Sequence, residues 1–271
     1  MKQKMDLKDK ASLPELESEK NIEIVSGVAE SNLQFKSNQD KEVYVQNVFS
    51  HIAKHYDLMN TILSFHQDAY WRRFAVSKLN LQEGSRLLDV ACGTGMLTIE
   101  ALRQNPHMQV EALDFSPEML RRGRERLHEL GLLGKVNLVE GDAMSLPYEE
   151  NTFDCAMSAF ALRNVPSITV TLQEMMRVVK PGGYVVTLEL AKPTLIGFKQ
   201  LYYLYFEKIL PFLGKLSKDS SSYAWLPESL RRYPHQAEIL DVFKAVGYEE
   251  AEYFELTGGI VAVHVGRVPQ K

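Results

Sequence analysis

Short apolar runs alternate with stretches of helical periodicity through most of the chain. A continuous apolar run fits a strand buried on both faces of a parallel sheet, whereas apolar residues three and four apart fit one face of a helix. This pattern predicts strands at Leu87 to Ala91, Val110 to Leu113, Val136 to Val139, Phe153 to Ala159 and Tyr184 to Leu190. It predicts helices near Val45 to Tyr56, Ala69 to Leu79, Met96 to Gln104, Pro117 to Leu130 and Ile168 to Val179. The alternation indicates an α/β fold with a doubly wound, Rossmann-like, mostly parallel sheet, in which ligands bind at the carboxyl ends of the strands.

The pattern changes towards the C-terminus. A last helix, with apolar residues from Ile239 to Val246, stops at Gly247, and two strands follow at Tyr248 to Leu256 and Ile260 to Val265. Only Thr257-Gly258-Gly259 joins these strands. A parallel pair needs a crossover of a dozen or more residues, so this pair must be an antiparallel hairpin.

Two segments fall outside the alternation. Residues 1–40 mix charged and amide residues with scattered apolar ones, and we expect a flexible tail before a single domain at 41–271. An insertion at about Lys192 to Pro234 is rich in aromatic and aliphatic residues, which Lys199, Glu207 and Lys208 interrupt. The insertion fits either a helix packed into the core or a lid over an apolar substrate that touches a bilayer surface.

The candidate chemistry begins where the first predicted strand ends. Gly93 and Gly95 allow unusual backbone angles and let a ligand approach the main chain at a helix N-terminus. A dinucleotide loop needs a third glycine or alanine three residues after Gly95 and no carboxylate beside its pyrophosphate. Here Thr98 takes that place and Asp89 precedes the loop. Asp89 would attract the ammonium and sulfonium groups of S-adenosylmethionine, so the loop favours this cofactor over NAD.

Two further acids follow the next two strands. Asp114 ends the second strand, where it can accept hydrogen bonds from ribose hydroxyls. Asp142 follows the third strand in Gly141-Asp142-Ala143, where its carboxylate can meet an adenine amino group. The turn Lys180-Pro181-Gly182-Gly183 leads into the fifth strand. This order of strand, glycine loop, two acids and turn resembles the class I methyltransferases, as does the C-terminal hairpin.

Composition narrows the function classes. The 271 residues carry a formal net charge of −4, with a pI near 6.0, which argues against a general nucleic-acid binder. The N-terminus has no secretion signal and the chain has no long apolar run, so we expect a cytoplasmic protein. Cys92 and Cys155 fall in apolar stretches and predict buried thiols. The histidines, including His264, show no metal-ligand spacing, and we expect no metal.

Longer sequence motifs narrow the resemblance from the class I methyltransferases to one family. They are Val48-Phe49, Tyr56-Asp57-x-Met59-Asn60, Leu63-Ser64, Trp71-Arg72, Leu88-Asp89-Val90-Ala91-Cys92-Gly93-Thr94-Gly95, Ser116-Pro117-Glu118-Met119-Leu120, Leu146-Pro147, Asn151-Thr152-Phe153-Asp154, Phe160-x-Leu162-Arg163-Asn164-Val165, Tyr223-x-x-Leu226-Pro227-Glu228-Ser229 and Leu256-Thr257-Gly258-Gly259-Ile260-Val261-Ala262. On these strings, from about Lys41 to Arg267, the chain resembles the quinone C-methyltransferases, the demethylmenaquinone and 2-polyprenyl-benzoquinol methyltransferase family.

The resemblance implies methyl transfer from S-adenosylmethionine to a ring carbon of a reduced polyprenyl quinone, with demethylmenaquinol as the acceptor in menaquinone formation. Displacement at a sulfonium mainly needs alignment, but the ring carbon becomes nucleophilic only when a ring hydroxyl loses its proton. The cofactor-binding residues that we expect are Tyr56, Arg72, Asp89, Gly93, Thr94, Gly95, Asp114, Phe115, Asp142, Ala143 and Ser158.

On the acceptor side, the resemblance makes Arg163 the first catalytic candidate, as a cation near the developing phenolate, with Asn164 orienting the ring. Alternatively, Arg163 pairs with a carboxylate and only holds its loop. Tyr223 and His235 are further candidates, although His235 fits the start of the last helix and stands where the family usually has an acidic residue. A second departure is Asp68, where relatives usually have a histidine.

Three alternatives stay open. The same reaction could act on a polyprenyl benzoquinol in ubiquinone formation or on another small aromatic, and the pattern near the ring pocket does not separate these acceptors. The third alternative is a non-catalytic cofactor-binding subunit of a quinone-synthesis assembly. Peripheral contact with the membrane, a homodimer and the identity of the general base are also left open by the sequence.

Overall fold

The structure, a computed structural model, describes Val45, residues 56–194 and residues 220–270. Within these ranges seven strands form one sheet in the order β3-β2-β1-β4-β5-β7-β6. The strands are β1 (Arg86–Val90), β2 (Gln109–Asp114), β3 (Val136–Glu140), β4 (Phe153–Ala159), β5 (Val179–Leu190), β6 (Glu249–Leu256) and β7 (Val261–Arg267). Strands β1 to β5 pair in parallel, and β7 pairs antiparallel with β5 and with β6. The predicted sheet and its C-terminal hairpin are confirmed.

Helices cover both faces of the sheet. They are α1 (Tyr56–Leu63), α2 (Asp68–Ser77), α3 (Met96–Gln104), α4 (Pro117–Glu129), α5 (Ile168–Val178), α6 (Ser220–Arg232) and α7 (Gln236–Val246), with 3₁₀ turns at Leu133–Lys135 and Thr257–Gly259. Leu87 joins the core cluster that contains residues of α2, α3 and α4, whereas Leu88 joins the cluster that contains residues of α5 and α7. Successive β1 side chains therefore serve opposite layers. None of the helices in the described ranges combines the length and the hydropathy that a bilayer span requires.

Local residues fix several helix ends. The Ser116 hydroxyl accepts a hydrogen bond from the Met119 N–H at the start of α4 (3.4 Å), just before Pro117. The His235 ring accepts one from the Ala237 N–H at the start of α7 (3.3 Å), and Gly247 ends that helix with a φ of 109°. His235 therefore caps the start of the last helix, as one of the two interpretations from the sequence proposed.

One helix was not predicted and one predicted boundary is wrong. The unpredicted helix, α1, runs from Tyr56 to Leu63 and stops before Phe65 and His66, which adopt left-handed angles (φ 51° and 63°). The fifth strand begins at Val179 rather than Tyr184. Phe153 pairs with Val179 and Cys155 pairs with Tyr184, so the predicted turn is an irregularity inside β5.

Three other expectations lie outside the described residues: the flexible tail at 1–40, most of the helix expected before Tyr56, and residues 195–219 of the insertion.

We predict that Gly183→Ala destabilises the protein. A Cβ at this position would touch the backbone oxygen of Asp154 and approach Cγ1 of Val179 to 2.6 Å, and the backbone cannot move aside cheaply. Such overpacking lowers the free energy of unfolding by roughly 1–3 kcal/mol. Thermal and urea unfolding of the full chain measure the change.

Gly134→Ala is the matched control, because a Cβ there meets nothing within 4 Å. We expect this variant to unfold within about 0.5 kcal/mol of the original protein. Equal unfolding midpoints for the two alanine variants would contradict the packing argument.

Candidate active site

A cavity of about 390 Å³ opens at the carboxyl ends of β1, β2, β3 and β4. This is the edge at which doubly wound sheets bind ligands, and the volume lies in the range of small-molecule sites. The chain before β1 supplies the remaining wall. The lining residues used below are Asp57, Arg72, Asp89, Gly93, Thr94, Asp114, Phe115, Gly141, Asp142, Ala143, Phe160 and Asn164.

The glycine loop between β1 and α3 has three left-handed residues. Ala91, Gly93 and Gly95 have φ values of 56°, 56° and 79°. The neighbouring strand holds this shape, since the Gly93 N–H donates to Oδ2 of Asp114 (2.7 Å) and the Cys92 N–H donates to the Leu113 carbonyl (2.9 Å). The loop therefore presents its backbone to the cavity in a conformation that the end of β2 fixes.

Asp89 is fully buried at the end of β1 and lines the cavity. Its Oδ2 accepts a hydrogen bond from the Thr98 hydroxyl (2.5 Å), while its buried Oδ1 has no hydrogen-bond partner among the described protein groups. Burial, with the nearby Asp114 carboxylate as a smaller cause, raises the pKa of Asp89 to about 7. A buried acceptor without a partner at a cavity wall fits a cationic ligand group such as an ammonium.

Asp114 is 4% exposed, and both of its oxygens face backbone donors. Oδ2 accepts from the Gly93 N–H (2.7 Å) and Oδ1 accepts from the Ser116 N–H (2.9 Å). Burial raises the pKa of Asp114 to about 6. A carboxylate has about four lone-pair sites, so Asp114 can order the loop and still accept hydrogen bonds from ribose hydroxyls.

Asp142 is exposed at the end of β3, and Ala143 beside it is buried. Oδ1 of Asp142 accepts a hydrogen bond from the Met144 N–H (2.8 Å), which closes the turn. Gly141 before it packs so closely that an added Cβ would lie 2.7 Å from Leu113. The structure therefore brings the three predicted acids to one cavity.

Asp57 is a cavity residue that the sequence did not indicate as functional. Its Oδ1 accepts a hydrogen bond from the Thr94 hydroxyl (2.7 Å), and its Oδ2 forms an ion pair with Arg126 of α4 (2.5 Å). α1 is thereby tied to the glycine loop. The string Tyr56-Asp57-x-Met59-Asn60 contains the residue, but sequence spacing does not show that its carboxylate reaches Thr94.

Arg72 lines the cavity from α2. Its guanidinium pairs with Asp68 (2.6 Å) and lies 5.9 Å from the centre of the Phe160 ring. Asp68 also accepts hydrogen bonds from the Ser64 and Thr61 hydroxyls (both 3.2 Å). The Asp68 carboxylate thus fixes a cavity arginine.

The structure separates the two first acceptor-side candidates. Arg163 is buried and pairs with Glu189 (2.5 Å), and it also donates to the Phe160 carbonyl (2.7 Å). Arg163 is absent from the cavity lining within the described residues, whereas Asn164 lines it. The arrangement agrees with the alternative interpretation, in which Arg163 holds its loop through a carboxylate. Trp225 of α6 donates its indole N–H to Oδ1 of Asn164 (3.0 Å), a contact that sequence separation hides.

The other predicted residues divide into three groups. Phe115 lines the cavity. Ser158 and Gly95 are absent from the described lining, because Ser158 is buried inside β4 and Gly95 lies at the N-cap of α3. Tyr56 and Tyr223 lie on α1 and α6, but their side chains are outside the described part of the structure.

Cys92 and Cys155 are free, buried thiols, as predicted. Within the described ranges, the side chains of His, Cys, Asp and Glu form no group of three that could hold a metal ion.

Comparison with known sequences places these features in a family. Residues 36–268 match the model of the ubiE/COQ5 methyltransferase family. A demethylmenaquinone methyltransferase of Anoxybacillus flavithermus is 46% identical over 85% of this chain and 98% of its own length. The demethylmenaquinone methyltransferase of Bacillus subtilis is 42% identical over 83% of this chain and 97% of its own.

Comparison with solved structures concerns the fold alone. An S-adenosylmethionine-dependent methyltransferase of Aquifex aeolicus superposes with a TM-score of 0.54 at 18% identity, over 73% of this chain and 89% of its own. The [4+2]-cyclase SpnF superposes with a TM-score of 0.57 at 20% identity, over 84% of this chain and 97% of its own. Because a cyclase shares this fold, the fold does not by itself identify the reaction.

We predict that Asp89→Asn stabilises the cofactor-free protein. The gain in the free energy of unfolding over the original protein should be larger at pH 8 than at pH 4. Burial raises the pKa of Asp89 from 3.8 to about 7, so between these values the folded state holds a proton that the unfolded state has lost. Stability therefore falls as pH rises through this window. At 1.36 kcal/mol per pKa unit, the asparagine removes a penalty of up to roughly 4 kcal/mol at pH 8.

Urea unfolding of both proteins across this pH range measures the difference. Asp241 is an exposed carboxylate on α7, and Asp241→Asn is the control. We expect its plot of unfolding free energy against pH to stay parallel to that of the original protein. A parallel curve for Asp89→Asn as well would contradict the assignment of a raised pKa.

Proposed function

The chain belongs to the ubiE/COQ5 methyltransferase family, and on this premise we propose that it methylates a ring carbon of demethylmenaquinol with S-adenosylmethionine as the donor. The observation that supports the proposal is that one cavity is lined both by three acids at strand ends, Asp89, Asp114 and Asp142, and by Phe160 and Asn164, which follow β4. The names of the most similar relatives support the choice of acceptor.

The first half of the cavity fits S-adenosylmethionine. Oδ1 of Asp89 is the buried acceptor for its ammonium. Asp114 accepts hydrogen bonds from its ribose hydroxyls, and Asp142 accepts one from its adenine amino group. When bound, the cofactor supplies an electrophilic methyl group on sulfur. These three carboxylates therefore account for the ammonium, the ribose hydroxyls and the adenine amino group of this ligand, whereas a dinucleotide pyrophosphate would meet the Asp89 carboxylate.

The second half of the cavity fits a flat aromatic ring. Phe160 offers an aromatic surface, and Asn164 offers an amide whose N–H can donate to an oxygen. A quinol ring carbon becomes nucleophilic as a ring hydroxyl loses its proton, and donors aimed at that oxygen stabilise the charge that develops. The tail of such an acceptor is a lipid, so the protein meets its substrate at a membrane surface.

We predict that the purified full chain methylates reduced demethylmenaquinone. Two reactions in detergent micelles each contain the chain and S-adenosylmethionine. One also contains reduced demethylmenaquinone, and the other contains a reduced polyprenyl benzoquinone that lacks the methyl group. Mass spectrometry should find one added methyl group on the naphthoquinol alone. Omitting S-adenosylmethionine is the control and should give no methylated product.

The other outcomes are equally informative. Methylation of the benzoquinol alone would assign the protein to the ubiquinone branch. Cofactor binding without methylation of either quinol would contradict the proposed reaction and favour a non-catalytic cofactor-binding subunit.

A further inference from the structure

We infer that Trp225 is a positioning residue, which holds the Asn164 amide with its N–H directed at the oxygen of the acceptor ring. The inference rests on the proposed function and names a determinant of the same site. It starts from a single hydrogen bond, in which the Trp225 indole N–H donates to Oδ1 of Asn164 (3.0 Å).

The Asn164 amide has little freedom in its pocket. The residue is 8% exposed, its backbone N–H donates to the Ala161 carbonyl (2.8 Å), and its Nδ2 donates to the Phe160 carbonyl (3.2 Å). Nδ2 carries two hydrogens, so one donor remains after the bond to Phe160. Asn164 lines the cavity, and that second donor is the group we assign to the acceptor oxygen.

Trp225 fixes which end of the amide is the acceptor. An indole N–H donates and never accepts, so the Asn164 atom that faces it must be the carbonyl oxygen. An asparagine without such partners can turn its amide over and exchange the positions of O and N. A flipped amide would turn an oxygen towards a developing phenolate and repel it, and Trp225 opposes this orientation together with the Phe160 carbonyl, which accepts from Nδ2 (3.2 Å).

The neighbouring arginine does not replace this donor. The Arg163 guanidinium contacts Glu189 (2.5 Å) and the Phe160 carbonyl (2.7 Å), and its backbone N–H donates to the same glutamate (3.2 Å). Glu189 is 1% exposed, so the positive charge is balanced inside the core. Among the two adjacent candidates, only Asn164 lines the cavity.

Trp225 itself is firmly seated. It is 3% exposed on α6, and Ser229 and Leu230 of the same helix are also buried. Glu228 pairs with Arg231 (3.2 Å) and Arg232 (2.8 Å), which fixes the last turns of the helix. A rigid donor of this kind can hold an amide in one orientation.

The experiment measures steady-state methylation of reduced demethylmenaquinone by the full chain and its variants. We expect Trp225→Phe to lower kcat about tenfold, the size of one buried hydrogen bond, with the KM for S-adenosylmethionine unchanged within about twofold. Asn164→Asp keeps an acceptor for the indole but removes the amide donor, and we expect it to lower kcat by about 100-fold. Trp225→Phe should add nothing further in an Asn164→Ala background.

Trp71→Phe is the matched control. Trp71 is the other tryptophan, is also 3% exposed and donates its indole N–H to the Thr257 hydroxyl (2.7 Å). We expect kcat to stay within about twofold, because phenylalanine keeps an aromatic ring against Phe160 and the lost bond does not involve the cavity.

Several results would overturn the inference. Equal kcat values for Trp225→Phe and Trp71→Phe would do so, as would additive losses in the Asn164→Ala background. If Trp225→Phe folds poorly, Asn164→Asp still decides, and activity within twofold of the original protein excludes the donor role. If the original protein methylates no naphthoquinol, the proposed function fails and this inference fails with it. If the original protein is active and the variants keep its activity, only this inference fails.

Discussion

The cavity is organised around two carboxylates buried at the ends of neighbouring parallel strands. Asp89 and Asp114 are 0% and 4% exposed, and burying charge in an apolar interior costs free energy unless it is paired. Thr98, Gly93 and Ser116 supply donors, yet Oδ1 of Asp89 has no hydrogen-bond partner among the described protein groups. The protein therefore holds a destabilising carboxylate at its cavity, as expected where a site is organised for a cationic ligand.

The sheet supplies only part of the cavity wall. Asp57 of α1 joins the glycine loop through Thr94 and joins α4 through Arg126, and Arg72 of α2 reaches the cavity with its charge balanced by Asp68. The acceptor end is likewise fixed by distant elements, since Trp225 of α6 contacts the loop after β4. Thr94 and Asn164 are thus each held by a partner from a distant part of the chain.

Sequence predicts the parts of this site that depend on local order. The strand ends with their acids, the glycine loop, the start of the last helix at His235, and the hairpin all follow from periodicity and spacing. Contacts between distant residues do not: Asp57 to Thr94 and Trp225 to Asn164 join positions 37 and 61 residues apart. Arg163 was the first catalytic candidate from the sequence, ahead of Asn164, because a charged residue suggests catalysis. Its ion pair with the buried Glu189, 26 residues away, is visible only in the structure.

In the proposed complex, the Asp89 carboxylate receives the ammonium of S-adenosylmethionine. Its pKa of about 7 in the cofactor-free protein must then fall on binding, so at pH 6.5 the complex should release protons to the buffer. Isothermal titration calorimetry in buffers of different ionisation enthalpy measures this release. We predict net proton release by the original protein, and a much smaller release by Asp89→Asn with weaker binding. Heats that are independent of the buffer, or proton uptake, would contradict the claim.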